Sequence, residues 1–129
     1  MPRPTSSQPT EVELQILKVL WDQGPSTVRE IHNRLCEAKE TQYATTVKML
    51  LVMLEKGLVT RDESVRPQVY RALATQKKTQ RRMLDEMIQK VYDGSAKSLV
   101  LQVLSSTKTS ADDLDEIREL LEELKKRKS

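Results

Sequence analysis

The chain has 129 residues, 32% of them charged and 37% hydrophobic, with a formal net charge of +3. That length holds one domain or two small ones, and the composition lies near the A/E/K/L/R-rich profile of helical proteins. One His and one Cys exclude a four-ligand zinc site within one chain, and no nucleophile–base pair is visible, so neither an enzyme nor a cofactor is expected.

Aromatic residues make up 3%, too few for the stacking platforms that grip single-stranded nucleic acid. The longest apolar run, Met49 to Leu54, is far short of the roughly 20 residues of a membrane span. The opening MPRPTSSQP has no apolar stretch for a signal peptide or anchor. Cys36 has no second cysteine to pair with. A reducing compartment, and so a cytoplasmic protein without a membrane partner, is expected.

Residues 1–9 are rich in Pro and Ser and read as a flexible tail. Thr10 and Glu13 then form a capping box, followed by Leu14, Leu17 and Trp21 at helical spacing, widened by Ile16 and Leu20. Gly24-Pro25 ends this helix. A second capping box, Thr27 with Glu30, opens a short helix bearing Val28, Ile31 and Leu35. A third helix is expected from Tyr43 to Lys56, with Val47, Leu50, Leu51 and Leu54 as its buried stripe and Gly57 as its C-terminal cap. The period then changes. Leu58–Glu63 and Gln68–Leu73 alternate like two short strands, which need the helices for support because a lone hairpin is barely stable.

From Thr75 the chain is helical again, with Leu84, Met87, Ile88 and Val91 on one face and a break at Asp93-Gly94-Ser95. The next segment carries Leu99, Val100, Leu101, Val103 and Leu104, apolar almost all round, so it needs enclosure. Ser110 and Asp113 cap a last helix with Leu114, Ile117, Leu121 and Leu124 at heptad spacing. Three such helices are too small to enclose themselves well. A second copy would cover them, and folding back onto the first domain of the same chain is the other solution. The expected division is therefore a tail over 1–9, a first domain over 10–74 and a three-helix dimerisation domain over 75–129.

Three helices followed by a two-stranded hairpin within 10–74 is the winged helix-turn-helix order, giving a mainly α fold with a small β-hairpin. The third helix is then the reader of double-stranded DNA. With about 100° per residue, Thr45, Lys48, Met49 and Val52 face away from the expected stripe, with Thr46 on the edge. Thr can bond to a base or meet a thymine methyl, and Lys can reach a guanine or neutralise a phosphate. Arg61, Arg66, Tyr70 and Arg71 lie on or beside the wing. The same pattern also fits a dimeric adaptor that uses a winged helix for protein contact, since fold does not fix function. Residues 1–74 hold ten basic and nine acidic residues, a weak surplus for a DNA binder. His32 and Cys36, four residues apart on one helix, could share a metal with carboxylates, but a buried Cys36 beside a surface His32 is the simpler expectation and no metal site is assigned.

The stretches Thr10–Leu35, Thr45–Glu63, Val69–Leu73 and Gly94–Ser106 together resemble the penicillinase-repressor (BlaI/MecI) family of bacterial transcription repressors, from about Thr10 to Lys126. The resemblance implies a homodimer on palindromic operators with half-sites of the TACA/TGTA kind; such a dimer is expected to repress by occupying an operator that overlaps the promoter. It places the reading positions on Thr45, Thr46 and Lys48 and the backbone contacts around Arg66 to Arg71. It also implies a sensor protease or another signal protein as partner. Antibiotic-responsive members carry an Asn–Phe bond after Ser-Leu-Val-Leu; here Ser98–Leu101 is followed by Gln102-Val103. Copper-responsive members end in clustered cysteines, which this chain lacks. Neither signal carries over.

Overall fold

The computed structural model describes residues 8–106 and 108–128; most of the expected tail over 1–9 lies outside the described residues. The elements run α1 (Glu11–Gln23), β1 (Ser26–Thr27), α2 (Val28–Ala38), α3 (Tyr43–Lys56), β2 (Val59–Asp62), β3 (Val69–Ala72), α4 (Gln76–Lys90), α5 (Ala96–Leu104) and α6 (Ala111–Lys128). The chain forms two compact units divided between Met83 and Leu84, inside α4.

In the first unit, local chemistry sets the starts of two helices. The Thr10 hydroxyl accepts from the Glu13 amide at 3.2 Å, and the Glu13 carboxylate accepts from the Thr10 amide at 2.9 Å. Thr27 and Glu30 repeat the exchange at 3.2 and 2.8 Å. Each box satisfies two amides that a helix start leaves open. Thr27→Ala should cost about 1 kcal/mol in urea unfolding, and a change below about 0.3 kcal/mol would show that the second cap is not holding α2. At the far end of α3, Gly57 takes the left-handed conformation (φ 78°) and donates to Leu54 and Met53 carbonyls, which closes the helix as a left-handed cap does.

Thr27 also ends β1, a two-residue strand that the sequence pattern did not reveal. It pairs antiparallel with β3, Ser26 opposite Tyr70 and Thr27 opposite Val69. β2 flanks β3 on the other side, with Arg61 opposite Tyr70 and Thr60 opposite Arg71. The wing is thus the outer part of a three-stranded antiparallel sheet ordered β1-β3-β2.

The core joins Ile16, Leu17, Val19 and Leu20 of α1, Ile31 and Leu35 of α2, Leu50 and Met53 of α3, and Leu58, Val59 and Tyr70. Trp21 closes one side, its indole N–H donating to the Ala74 carbonyl at 3.0 Å. The buried side of α3 is Thr46, Leu50 and Met53, while Leu51 is 48% exposed. The expected stripe was therefore rotated by part of a turn: Leu51 faces out, and Met53 fills the core instead.

One ion pair fixes α3 against α1. Lys56 Nζ lies 2.6 Å from Glu13 Oε1, with only 15% and 8% of the two side chains exposed. Burial works against the Glu13 charge, but the Lys56 ammonium and the Thr10 amide outweigh it and hold the carboxyl below its usual range. Both charges also sit where helix dipoles favour them, Glu13 in the first turn of α1 and Lys56 in the last turn of α3.

The second unit is different in kind. α5 and α6 contain no buried residue, although α5 carries the apolar run expected to need enclosure. Met87, Val91, Leu101, Val103 and Leu121 are each at least half exposed. Leu104, Leu114, Ile117 and Leu121, with Arg118, Glu122 and Lys125, line a groove of about 310 Å³. Ser110 caps α6 by accepting from the Asp113 amide at 3.0 Å. The acidic first turn and basic last turn of this helix match its dipole. Among the described residues no helix is long and apolar enough to cross a membrane.

Candidate nucleic-acid interface

Because Thr46, Leu50 and Met53 point inward, the opposite side of α3 shows Ala44, Thr45, Lys48, Leu51, Val52 and Glu55 to solvent. Thr45 and Lys48 are three residues apart and so share one face near the start of the helix. Of the residues expected to read DNA, these two are where the expectation put them, at the surface.

Thr46 is a correction. It is 0% exposed, and its hydroxyl lies 2.9 Å from His32 Nδ1, so it is a buried link between α2 and α3 and not a base contact. Met49 is half-buried against the core and cannot present its side chain fully. Leu51, Ala44 and Tyr43 were missed. Their exposure follows from the rotated phase of α3, which an all-round apolar run from Met49 to Leu54 leaves undefined.

The wing divides its residues as strand alternation requires. Tyr70 points inward and is 4% exposed, which corrects its expected place as a DNA contact. Arg61, directly opposite, donates to the Tyr70 hydroxyl at 3.3 Å and pairs with Glu63 at 3.2 Å. Those two hydrogen bonds push its guanidinium further up in pKa, and they occupy it within the wing. Arg66 folds onto its own loop, donating to the Glu63 carbonyl at 2.7 Å and the Val65 carbonyl at 3.1 Å. Arg71 is exposed, as Arg66 is, and lies on the outer face with Thr60. Asp62 beside it is held below its usual range by the Ser64 hydroxyl and amide, with a smaller contribution from Arg71.

The expectation for His32 and Cys36 is reversed. His32 is buried, 9% exposed, and Cys36 is only half-buried, its Sγ 3.4 Å from His32 Nε2. Among the described residues no group of three or more His, Cys, Asp or Glu could hold a metal ion. Lys77, Lys78, Arg81 and Arg82 all lie exposed along α4.

A helix-turn-helix whose second helix keeps part of its first turn outward, with a hairpin wing paired to the short strand that leads into its first helix, defines a winged-helix protein. The profile of the family described as "Penicillinase repressor" matches residues 9–123. The chain belongs to the penicillinase repressor family, and with that it is a DNA-binding repressor and not an enzyme. It is similar to the penicillinase repressor of Bacillus licheniformis, 26% identical over 121 residues, 94% of each chain. It is also similar to the methicillin resistance regulatory protein MecI of Staphylococcus aureus strain N315, 21% identical over 112 residues, 87% of this chain and 91% of that one. Among solved structures, a MarR family transcriptional regulator from Silicibacter pomeroyi is similar at a TM-score of 0.43 and 22% identity, covering 91% of this chain and 69% of that one.

Proposed function

We propose that the protein represses transcription in the cytoplasm as a homodimer bound to a palindromic operator, where it blocks the promoter. The outward face of α3 enters the major groove of one half-site, and Arg71 and Arg66 of the wing lie along the backbone. Leu84, Met87, Ile88, Val91, Leu99, Val100, Val103, Leu104, Leu114, Ile117, Leu121 and Leu124 form the dimerisation surface. Two reading helices a helical turn apart then match the two-fold symmetry of the site. A sensor protease or another signal protein releases the dimer from DNA. The observation that carries this reading is the exposure of Thr45 and Lys48 on a helix whose other side is completely buried.

Substitution of these two residues tests it. Lys48→Ala should weaken binding to every duplex and, through a lost phosphate contact, flatten the salt slope by about one unit. Thr45→Ala should instead narrow the gap between operator and random DNA. Equal effects of both changes on both duplexes would remove these residues from the reading face.

The exposed Leu51 and Val52, 48% and 40% accessible on the same face, favour a second reading, docking of another protein by an adaptor. Salt separates the two, since DNA binding falls steeply with ionic strength through counterion release.

A further inference from the structure

The first turn of α2 carries, beside Glu30, the cation Arg29. Arg29 is exposed and makes no ion pair among the described residues. As the second residue of α2, it stands at the positive end of the helix dipole, an unfavourable place for a cation on stability grounds. Its guanidinium is nevertheless held. The Arg29 Cζ lies 4.2 Å from the centroid of the Tyr43 ring, and Tyr43 is the first residue of α3. The Tyr43 ring meets His32 edge to face, with centroids 5.2 Å apart and planes at 80°. His32 is buried and anchored to the Thr46 hydroxyl.

We propose that Arg29 is a contact to a DNA backbone phosphate, preset by the relay Thr46–His32–Tyr43, an inference that rests on α3 being the DNA-reading helix. The relay starts on the buried side of α3 and ends on its exposed N-terminal rim, so the guanidinium moves with the helix that enters the groove. Stacking on Tyr43 removes part of the side-chain freedom that an Arg would otherwise lose on binding. It leaves the N–H edge open for the paired hydrogen bonds that phosphate oxygens accept. Gln42, the residue before α3, makes no side-chain cap bond, and α3 has no acidic residue in its first turn, so the helix start repels no phosphate. Arg29 touches DNA in this account, whereas Tyr43 and His32 are positioning residues.

The test uses the full chain and fluorescence anisotropy at several salt concentrations, with an operator duplex and a shuffled duplex. Arg29→Ala should weaken binding about tenfold, flatten the salt slope by about one unit and leave the operator-to-shuffled ratio unchanged. Tyr43→Leu should weaken binding several-fold with the slope kept, and Tyr43→Phe should restore it, because the ring and not the hydroxyl carries the stack. The double variant Arg29→Ala/Tyr43→Leu should bind no worse than Arg29→Ala alone, the mark of coupled residues.

Wild-type affinity and slope in Arg29→Ala would overturn the phosphate contact. So would a fallen operator-to-shuffled ratio with an unchanged slope, which would make Arg29 a base reader. Additive losses in the double variant would overturn the relay. If the wild-type chain binds neither duplex, the DNA reading itself fails, and this inference with it; wild-type operator binding with an indifferent Arg29 sinks the inference alone.

Discussion

Replacing Leu114 and Leu121 together by Asp should leave the chain monomeric and lower its affinity for a two-half-site operator by roughly 10²–10⁴, the gain that linking two weak modules supplies. Affinity for an isolated half-site should not change. Leu114 is 39% and Leu121 50% exposed in the single chain, and both line the apolar groove of the second unit. A charge there meets solvent in one copy, so the folded monomer tolerates it. In the proposed dimer the same carboxylates would lose their water against an apolar partner face, which is costly. Sedimentation and gel shifts on full and half-site duplexes check both parts. A variant that stays dimeric, or a monomer that holds the full operator as tightly as the wild type, would contradict the paired architecture.

Glu13→Ala should cost about 3–5 kcal/mol, the range for removing one partner of a buried ion pair. It strips Lys56 of its carboxylate and undoes the first capping box at the same time. Replacing both partners, Glu13→Leu with Lys56→Met, should recover much of that loss, because no uncompensated charge is then left inside. The pair also has a pH signature. Its carboxyl titrates below the usual glutamate range when folded, so the stabilisation is fully present above about pH 4 to 5 and fades as pH falls through the folded value. Urea unfolding across that window should show a shallower acid limb in Glu13→Ala than in the wild type. Identical acid limbs, or a loss below about 1 kcal/mol, would mean that the pair does not hold α3 on α1.

How far these features could be seen in the sequence depends on the range of the interaction behind them. Thr10 with Glu13 and Thr27 with Glu30 act across three residues and were legible. So was Gly57, whose missing Cβ suits the left-handed cap. The phase of α3 was not. Apolar residues occupy every position from Met49 to Leu54, so periodicity gives no unique inner side, and contacts made elsewhere decide it: Thr46 with His32, Lys56 with Glu13. Tyr70 was misplaced for a related reason. Its ring belongs to the inner face of a sheet whose third strand, Ser26–Thr27, is two residues long and carries no pattern of its own. Arg61 and Arg66 were legible as wing residues, but not their hydrogen bonds within the wing. The significance of Arg29 lies in a ring 14 positions away in the chain, which no local spacing predicts. In the second unit the apolar faces were plain in the sequence, and they remain uncovered in one chain.

The most direct measurement is guanine N7 methylation interference on a duplex with TACA and TGTA half-sites one helical turn apart. N7 lies on the major-groove edge of guanine, and two copies of α3 in adjacent turns should make one guanine in each half-site sensitive. Two interference signals about 10 base pairs apart on one face of the duplex are the expected result. A single signal, or binding that ignores N7 methylation altogether, would contradict a pair of α3 helices seated in the major groove.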